Sequence, residues 1–132
     1  MNSIQAFNAM QEFLEIYFKI TSSDSIGALL SCMQFLEDGQ TADQALWENW
    51  ITSLKGQKHI TLIQAFDAMR IFLKHYYRNN SSDTIRSLLH DIQYSKDGKS
   101  ADQKIKTLWI KCVDKALDEP EGSKHYLQIV QE

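Results

Sequence analysis

The chain has 132 residues, of which 43% are hydrophobic and 23% charged, and its formal net charge is −3. This is the composition of a folded globular protein, and it argues against disorder. No apolar run approaches the ~20 residues of a membrane span, and the N-terminus lacks the features of a secretory signal. We therefore expect a cytosolic protein in which Cys32 and Cys112, which form no CxxC pair, are free thiols.

The first predicted helix runs from the N-terminus to about Ile20. Its apolar residues recur at steps of three and four, which places them along one face of a helix. These residues are Ile4, Phe7, Met10, Leu14, Tyr17 and Phe18.

A second predicted helix begins at Ser22, Ser23 and Asp24. Serine is a favoured N-cap, and an aspartate in the first turn complements the positive end of the helix dipole. Asp38 and Gly39 are expected to end this helix, because glycine readily adopts the left-handed conformation that closes many helices.

The third predicted helix covers roughly 42–54. Thr41 and Gln44 have the spacing of a capping box, in which the hydroxyl accepts from a backbone N–H and the glutamine reaches back to the cap. Ser100 and Gln103 have the same spacing further along the chain, so the same cap is predicted there.

The chain contains an internal repeat. Residues 4–54 align with 63–113 without a gap, and 23 of the 51 aligned positions are identical. Thr61 and Gln64 form a further predicted capping box. The second copy is predicted to hold helices over about 61–79, 82–95 and 101–118.

These patterns predict an all-α protein of two tandem three-helix repeats packed into one compact helical domain. The first repeat covers 1–54, a short linker 55–61, and the second repeat 62–118. Residues 119–132 form a C-terminal segment whose apolar part is expected to dock as a short helix or a strand.

The two copies carry opposite charge. Residues 4–54 have seven acids and one base, a net charge of −6, whereas 63–113 have five acids and nine bases, a net charge of +4. The fold has therefore been duplicated while the charge has diverged, which points to different surroundings for the two copies.

Enzymatic chemistry has little support in the sequence. It holds no nucleotide-binding glycine motif, no HExxH and no GxSxG, so we predict no catalytic residue, no cofactor and no metal ligand. The four histidines, which are His59, His75, His90 and His125, show no metal-ligand spacing and are interpreted as surface or boundary residues.

The acidic copy suggests a surface for a basic protein partner. Five residues there differ in character from their counterparts, and we take them as candidates for partner binding. They are Glu12, Glu15, Glu37, Trp47 and Glu48, and the second copy has Ile71, Lys74, Lys96, Lys106 and Thr107 in their places. Because lysine is rarely buried, Trp47 is expected to be partly exposed, unlike Trp50, which Trp109 matches. Two alternatives are a solvated helix face and an acidic copy that binds the basic copy within the chain.

One family resemblance accompanies these patterns. The matching residues of the first copy are Asp24, Leu29, Leu30, Met33, Asp38, Gly39, Ala42, Asp43, Trp47 and Trp50. Those of the second copy are Asp83, Leu88, Leu89, Asp97, Gly98, Ala101, Asp102 and Trp109. In this pattern the chain resembles the immunity proteins of bacterial contact-dependent growth inhibition systems. The second copy departs from it at Ile92 and Lys106, and Gln44 and Gln103 stand where proline is common.

The resemblance implies a non-enzymatic immunity protein that binds and neutralises a cognate toxin in the bacterial cytosol and is a monomer when unbound. Many such toxins are nucleases, which tend to be basic around their clefts. One alternative is a helical enzyme or ligand-binding protein with a site between the repeats, using Tyr17, Tyr76 or the histidines. A nucleic-acid binder using the basic copy is disfavoured, because the whole chain is acidic.

Overall fold

The computed structural model describes residues 1–93 and 103–118, which form six α-helices. In these residues the all-α prediction is confirmed, since the only strand-like pairing is one antiparallel bridge between Phe35 and Thr41. The predicted cap at Ser100 and the C-terminal segment 119–132 lie outside the described residues. The helices are α1 (Ser3–Thr21), α2 (Asp24–Met33), α3 (Gln44–Ser53), α4 (Leu62–Asn79), α5 (Asp83–Asp91) and α6 (Gln103–Asp118).

Capping boxes start the two long helices. Before α4, Thr61 Oγ1 accepts from the N–H of Gln64 at 3.1 Å and the Gln64 side chain accepts from the N–H of Thr61 at 2.9 Å, as predicted. Asn2 and Gln5 form the same reciprocal pair before α1, with both distances 2.8 Å. The sequence interpretation missed this cap, although Asn2 lies at the position equivalent to Thr61.

The second helix of each copy begins as predicted but ends early, α5 at Asp91 and not near 95. Ser23 accepts from the N–H of Ile26 and caps α2, and Ser82 caps α5 in the same way. The expectation that α2 reaches Asp38 and Gly39 is wrong, because α2 ends at Met33. Gly39 does adopt a left-handed φ of +81°, but it does so within a separate tight turn that follows the helix.

The predicted capping box at Thr41 is also wrong. Asp43 caps α3, its carboxylate accepting from the N–H of Ala45 at 3.0 Å, while the Thr41 hydroxyl donates to the Asp43 carbonyl at 2.7 Å. The N–H groups of Ala42 and Asp43 donate to the carbonyls of Gln34 and Cys32, which holds this segment extended against the end of α2. Asp43 has an extended backbone, with φ of −112° and ψ of 105°, and serves as the N-cap, so α3 starts later than its sequence signal indicates.

The third helix of each copy packs across to the other copy. The most extensive helix contact joins α1 to α6, and the next joins α3 to α4, so each first helix lies against the last helix of the other copy. The second helices meet as well, where Ser25 Oγ donates to Ser82 Oγ at 3.0 Å. The two copies therefore build one core between them.

Two tryptophans at equivalent positions lie at the centre of that core. Trp50 lies 5.9 Å from Phe7 of its own copy and 6.0 Å from Phe72 of the other, measured between ring centroids. Trp109 lies 5.6 Å from Phe66 of its own copy and 5.9 Å from Phe13 of the other. All six rings are buried, and the phenylalanines form two equivalent pairs, 7 with 66 and 13 with 72. The aromatic core therefore has approximate two-fold symmetry.

The indole N–H groups repeat the same symmetry. Trp50 Nε1 donates to the carbonyl of Ser3 at 3.0 Å, and Trp109 Nε1 donates to the carbonyl of Leu62 at 3.0 Å. Each bond satisfies a polar group on a largely buried ring and fixes the third helix at the start of the first helix of its own copy.

No helix in the described ranges has both the length and the apolar character needed to cross a membrane.

The matched tryptophans generate a stability prediction. Trp50→Phe and Trp109→Phe each remove one indole bond and leave a carbonyl without its donor, so each should lower the free energy of unfolding by about 1–3 kcal/mol. Equilibrium urea unfolding followed by far-UV circular dichroism measures this loss. Trp47→Phe is the control, because the Trp47 indole N–H has no acceptor among the described residues, and it should cost clearly less. An equal loss in all three variants would contradict the symmetric role of the two bonds.

Candidate partner-binding face

Trp47 anchors the surface at which three of the five candidate residues lie. Its ring is half-buried and makes edge-to-face contacts with Phe7 at 5.2 Å and Phe35 at 6.1 Å between centroids. The expected partial exposure is therefore found, and the buried part of the ring packs within its own copy. The outer part of the ring remains available at the surface.

The turn that follows Phe35 lies beside this tryptophan. Leu36 N–H donates to the Gln40 carbonyl at 2.6 Å, and the Gly39 N–H returns to the Leu36 carbonyl at 2.9 Å. The Asp38 carboxylate accepts from the N–H of Gln40 at 3.0 Å, which ties the tip of the turn. These bonds give a surface turn an ordered backbone.

The turn presents an apolar residue beside acids. Leu36 is 48% exposed, and Glu37 and Asp38 are exposed next to it. Glu48 follows Trp47 on α3 and is exposed too. We call the surface formed by Leu36, Glu37, Asp38, Trp47 and Glu48 the acidic face.

Leu36 is a residue of this face that the sequence interpretation missed. Its counterpart in the second copy is Ser95, so the loss of an apolar residue between the copies was a visible signal. An exposed leucine beside a half-buried tryptophan supplies the apolar centre that a protein interface needs.

Glu15 lies on a different part of the acidic copy. It lines a shallow groove between α1 and α2, together with Phe18 and Gln34. Gln34 directly precedes Phe35, so the groove adjoins the acidic face along the chain. The structure links Trp47 and Glu48 of α3 to the segment before Glu37 through the contact between Phe35 and Trp47. It places Glu15 in a separate groove between α1 and α2.

Glu12 is used inside the protein. Its carboxylate accepts from Lys115 Nζ of α6 at 2.9 Å, and its side chain is only 13% exposed. For this residue the structure shows the internal alternative, in which an acid of the first copy pairs with a base of the second. Glu15, Glu37 and Glu48 make no ion pair within residues 1–93 and 103–118, so their charge is directed to solvent.

The unequal lengths of the third helices explain why Glu12 is covered. Backbone φ angles of 56° at Lys55 and 74° at Gly56 take the chain out of the helix after α3. Lys115 is equivalent to Gly56, and there α6 continues to Asp118. The extra turn of α6 therefore reaches over α1, whereas Ile71, the counterpart of Glu12, remains 38% exposed on α4.

Cys112 lies in the same α1–α6 contact and is 3% exposed. Burial, together with the nearby Glu12 carboxylate, raises the pKa of its thiol to about 12, and Lys115 acts in the opposite direction. Such a thiol stays protonated and unreactive at neutral pH. Cys32 is also free but only half-buried.

The residues proposed for a site between the repeats do not converge on one site. Some already make contacts within the protein, and the described histidines are exposed at separate positions. Tyr17 donates from its hydroxyl to Asp91 at 3.2 Å, and burial raises the pKa of Tyr76, which Cys32 and Asp43 raise further. His59, His75 and His90 are exposed, while His125 lies outside the described residues. In the described part of the chain no three His, Cys, Asp or Glu side chains are grouped closely enough to hold a metal ion.

Comparison of the chain with protein-family models, curated proteins and solved structures finds no match. The family resemblance of the sequence therefore stays a prediction.

The Glu12–Lys115 pair yields a prediction for a double-mutant cycle. Lys115→Met leaves a mostly buried carboxylate without its cation, and it should lower the free energy of unfolding by about 1 kcal/mol at neutral pH. Adding Glu12→Ile, which installs the residue of the second copy, should recover most of that loss, because an apolar pair can replace a partly buried ion pair. Urea unfolding of both single variants and the double variant checks it, and strictly additive losses would contradict the pairing.

Alkylation should separate the two cysteines. With iodoacetamide at pH 8, mass spectrometry should find Cys32 modified and Cys112 intact, since the Cys112 thiol is buried and its pKa is about 12. Unfolding in urea should make both react alike. Because the pKa is raised in the folded state, the stabilising contribution of this thiol is present below its ordinary pKa of about 8.5 and is lost as the pH rises toward 12. Equal reaction of both cysteines in the native protein would contradict this burial.

Proposed function

We propose that this protein is a non-enzymatic immunity protein that binds and neutralises a cognate toxin, a basic nuclease, in the bacterial cytosol. In this proposal the two tandem three-helix repeats form a monomeric scaffold. The acidic face of the first repeat contacts the toxin and blocks its active site.

The observation that carries the proposal is the composition of the acidic face compared with its counterpart. Leu36, Glu37 and Glu48 are exposed, and the half-buried Trp47 that precedes Glu48 packs on Phe35, the residue before Leu36. At the equivalent positions the second copy has Ser95, Lys96 and Thr107, with Lys106 in place of the tryptophan. Two copies of one sequence share caps and core, yet one has both the apolar and the acidic character of a binding surface and the other has neither.

The energetic logic follows that of other protein interfaces. Exposed acids around the face attract a basic partner and raise the association rate, while the bound state depends on a few buried aromatic or apolar contacts. Trp47 is suited to such a contact, because Phe7 and Phe35 already hold its ring and little side-chain freedom is lost on binding. Leu36 is suited for the same reason, since its turn is fixed by hydrogen bonds.

The resemblance to immunity proteins of contact-dependent growth inhibition systems supports the same function. Most of the residues that carry it belong to helix ends and to the core, including Trp50 and Trp109. The resemblance therefore supports the proposal that the protein is an immunity protein, whereas the acidic face supports the proposed position of the toxin contact.

The first experiment asks whether a toxin exists. The gene directly upstream should encode a toxin domain that co-purifies with this protein at a ratio of one to one and whose activity is lost in the complex. A toxin-like product that stays active and separate in the presence of this chain would contradict the proposal, as would an upstream gene of unrelated function.

A surface exchange locates the contact. The variant Leu36→Ser/Glu37→Lys/Glu48→Thr replaces three exposed residues by those of the second copy, so folding should be preserved. The toxin should bind it at least about 100-fold more weakly, with a slower association rate, as expected for loss of hot-spot and steering residues. Biolayer interferometry at two salt concentrations measures both effects.

The control is Asp114→Lys/Asp118→Asn on α6, which changes the net charge by the same amount at exposed positions away from the acidic face. It should bind almost as tightly as the wild type. Equal weakening by both variants would show that only the overall charge matters and that the acidic face is not the contact.

A further inference from the structure

The groove between α1 and α2 is the feature of the acidic copy that the acidic face does not include. Phe18 and Leu30 give it an apolar floor, and Glu15 and Asp24 give it negative charge. Phe18 is 39% exposed, a large value for an aromatic residue that packs beside a helix. The groove is thus an unfilled surface with both apolar and acidic walls.

Gly27 lines this groove and gives room to the Phe18 ring. It lies within α2, and a Cβ atom at this position would stand 3.0 Å from Cε1 of Phe18. Glycine weakens a helix interior relative to alanine, so its presence needs a reason other than helix stability. The reason in this structure is space, because the Phe18 ring lies directly over the position that a side chain would take.

The second copy shows what occupies the same position there. The counterpart of Gly27 is Arg86, whose Nη2 lies 3.1 Å from Oδ1 of Asp83. Asp83 is the counterpart of Asp24. The first copy keeps the aspartate but lacks the arginine, and Asp24 makes no ion pair among the residues that the structure describes.

We propose that an arginine side chain of the protein partner enters this groove and takes the place that Arg86 has in the second copy. Its guanidinium would pair with Asp24 and Glu15, and its aliphatic stem would lie on Phe18 and Leu30. Arginine fits better than lysine, since its planar head forms two parallel bonds to a carboxylate and stacks on an aromatic ring. This inference rests on the proposed function, in which the partner is a basic protein.

Two further facts agree with this occupant. Gln34 lines the groove and begins the segment that leads to Leu36, so the groove and the acidic face are connected along the chain. Lys19 also lines the groove, but Arg78 is its counterpart, so that positive charge is common to both copies and does not offset the loss of Arg86. At the groove positions the first copy therefore has two fewer cations than the second, since Glu15 and Gly27 replace Lys74 and Arg86.

The test uses Gly27→Arg, which supplies the missing side chain from within the protein. The new Cβ atom would stand 3.0 Å from the Phe18 ring, but this ring is 39% exposed and can turn outward, so circular dichroism should show an intact fold. Toxin affinity should fall by roughly tenfold or more, since the groove is filled and an added positive charge faces a basic partner. Glu15→Lys, which installs the counterpart Lys74, is the second variant and should also weaken binding. Arg86→Gly is the matched control and should leave affinity unchanged.

Wild-type affinity in Gly27→Arg or in Glu15→Lys would overturn the groove while leaving the proposed function intact. If the wild type binds no toxin, a small probe tests the groove alone. In ¹⁵N–¹H spectra, N-acetyl-arginine amide should cause saturable shifts at Asp24, Gly27 and Leu30, and the neutral N-acetyl-citrulline amide should not. These shifts should disappear in Gly27→Arg. Equal effects of the two probes, or shifts no larger than those at Asp38, would refute an arginine site.

Discussion

The packing of Trp50 and Trp109 between the two first helices is the interaction on which the rest of the structure depends. Each ring contacts one phenylalanine of its own copy and one of the other, and each indole bonds a carbonyl at the start of its own first helix. This double contact forces each third helix to bridge the copies. Neither copy can bury its own aromatic residues alone, which is why the duplicated sequence forms a shared core.

Because the core is approximately symmetric, the two copies differ mainly at the surface. The clearest case is the end of the third helix, where Gly56 lets the chain leave α3 while Lys115 continues α6. Because of this difference, the longer α6 covers Glu12, whereas its counterpart Ile71 remains exposed. Divergence after duplication has thus changed what each first helix exposes, while the aromatic core contacts stay equivalent.

The same separation organises the acidic copy. Phe35 and Phe7 support Trp47 from inside, and short hydrogen bonds hold the neighbouring turn, so the residues available to a partner are ordered before binding. The groove at Gly27 extends this surface along α2. The acidic face and the groove thus give the first copy apolar surface, negative charge and open space, as a steered, tight interface requires.

The sequence by itself determined the helical class, the repeat, four of the helix starts and the burial of Trp50 and Trp109, because helical periodicity and caps such as Thr61 are local. It did not determine the start of α3 or the end of α2, since backbone bonds between the Thr41 segment and the end of α2 override local signals there. Only the tertiary structure decided that Glu12 pairs with Lys115, that Trp47 packs on Phe35, and that the Phe18 ring lies over Gly27. Each of these contacts depends on which helices pack together, and residues that are distant in the chain determine that packing.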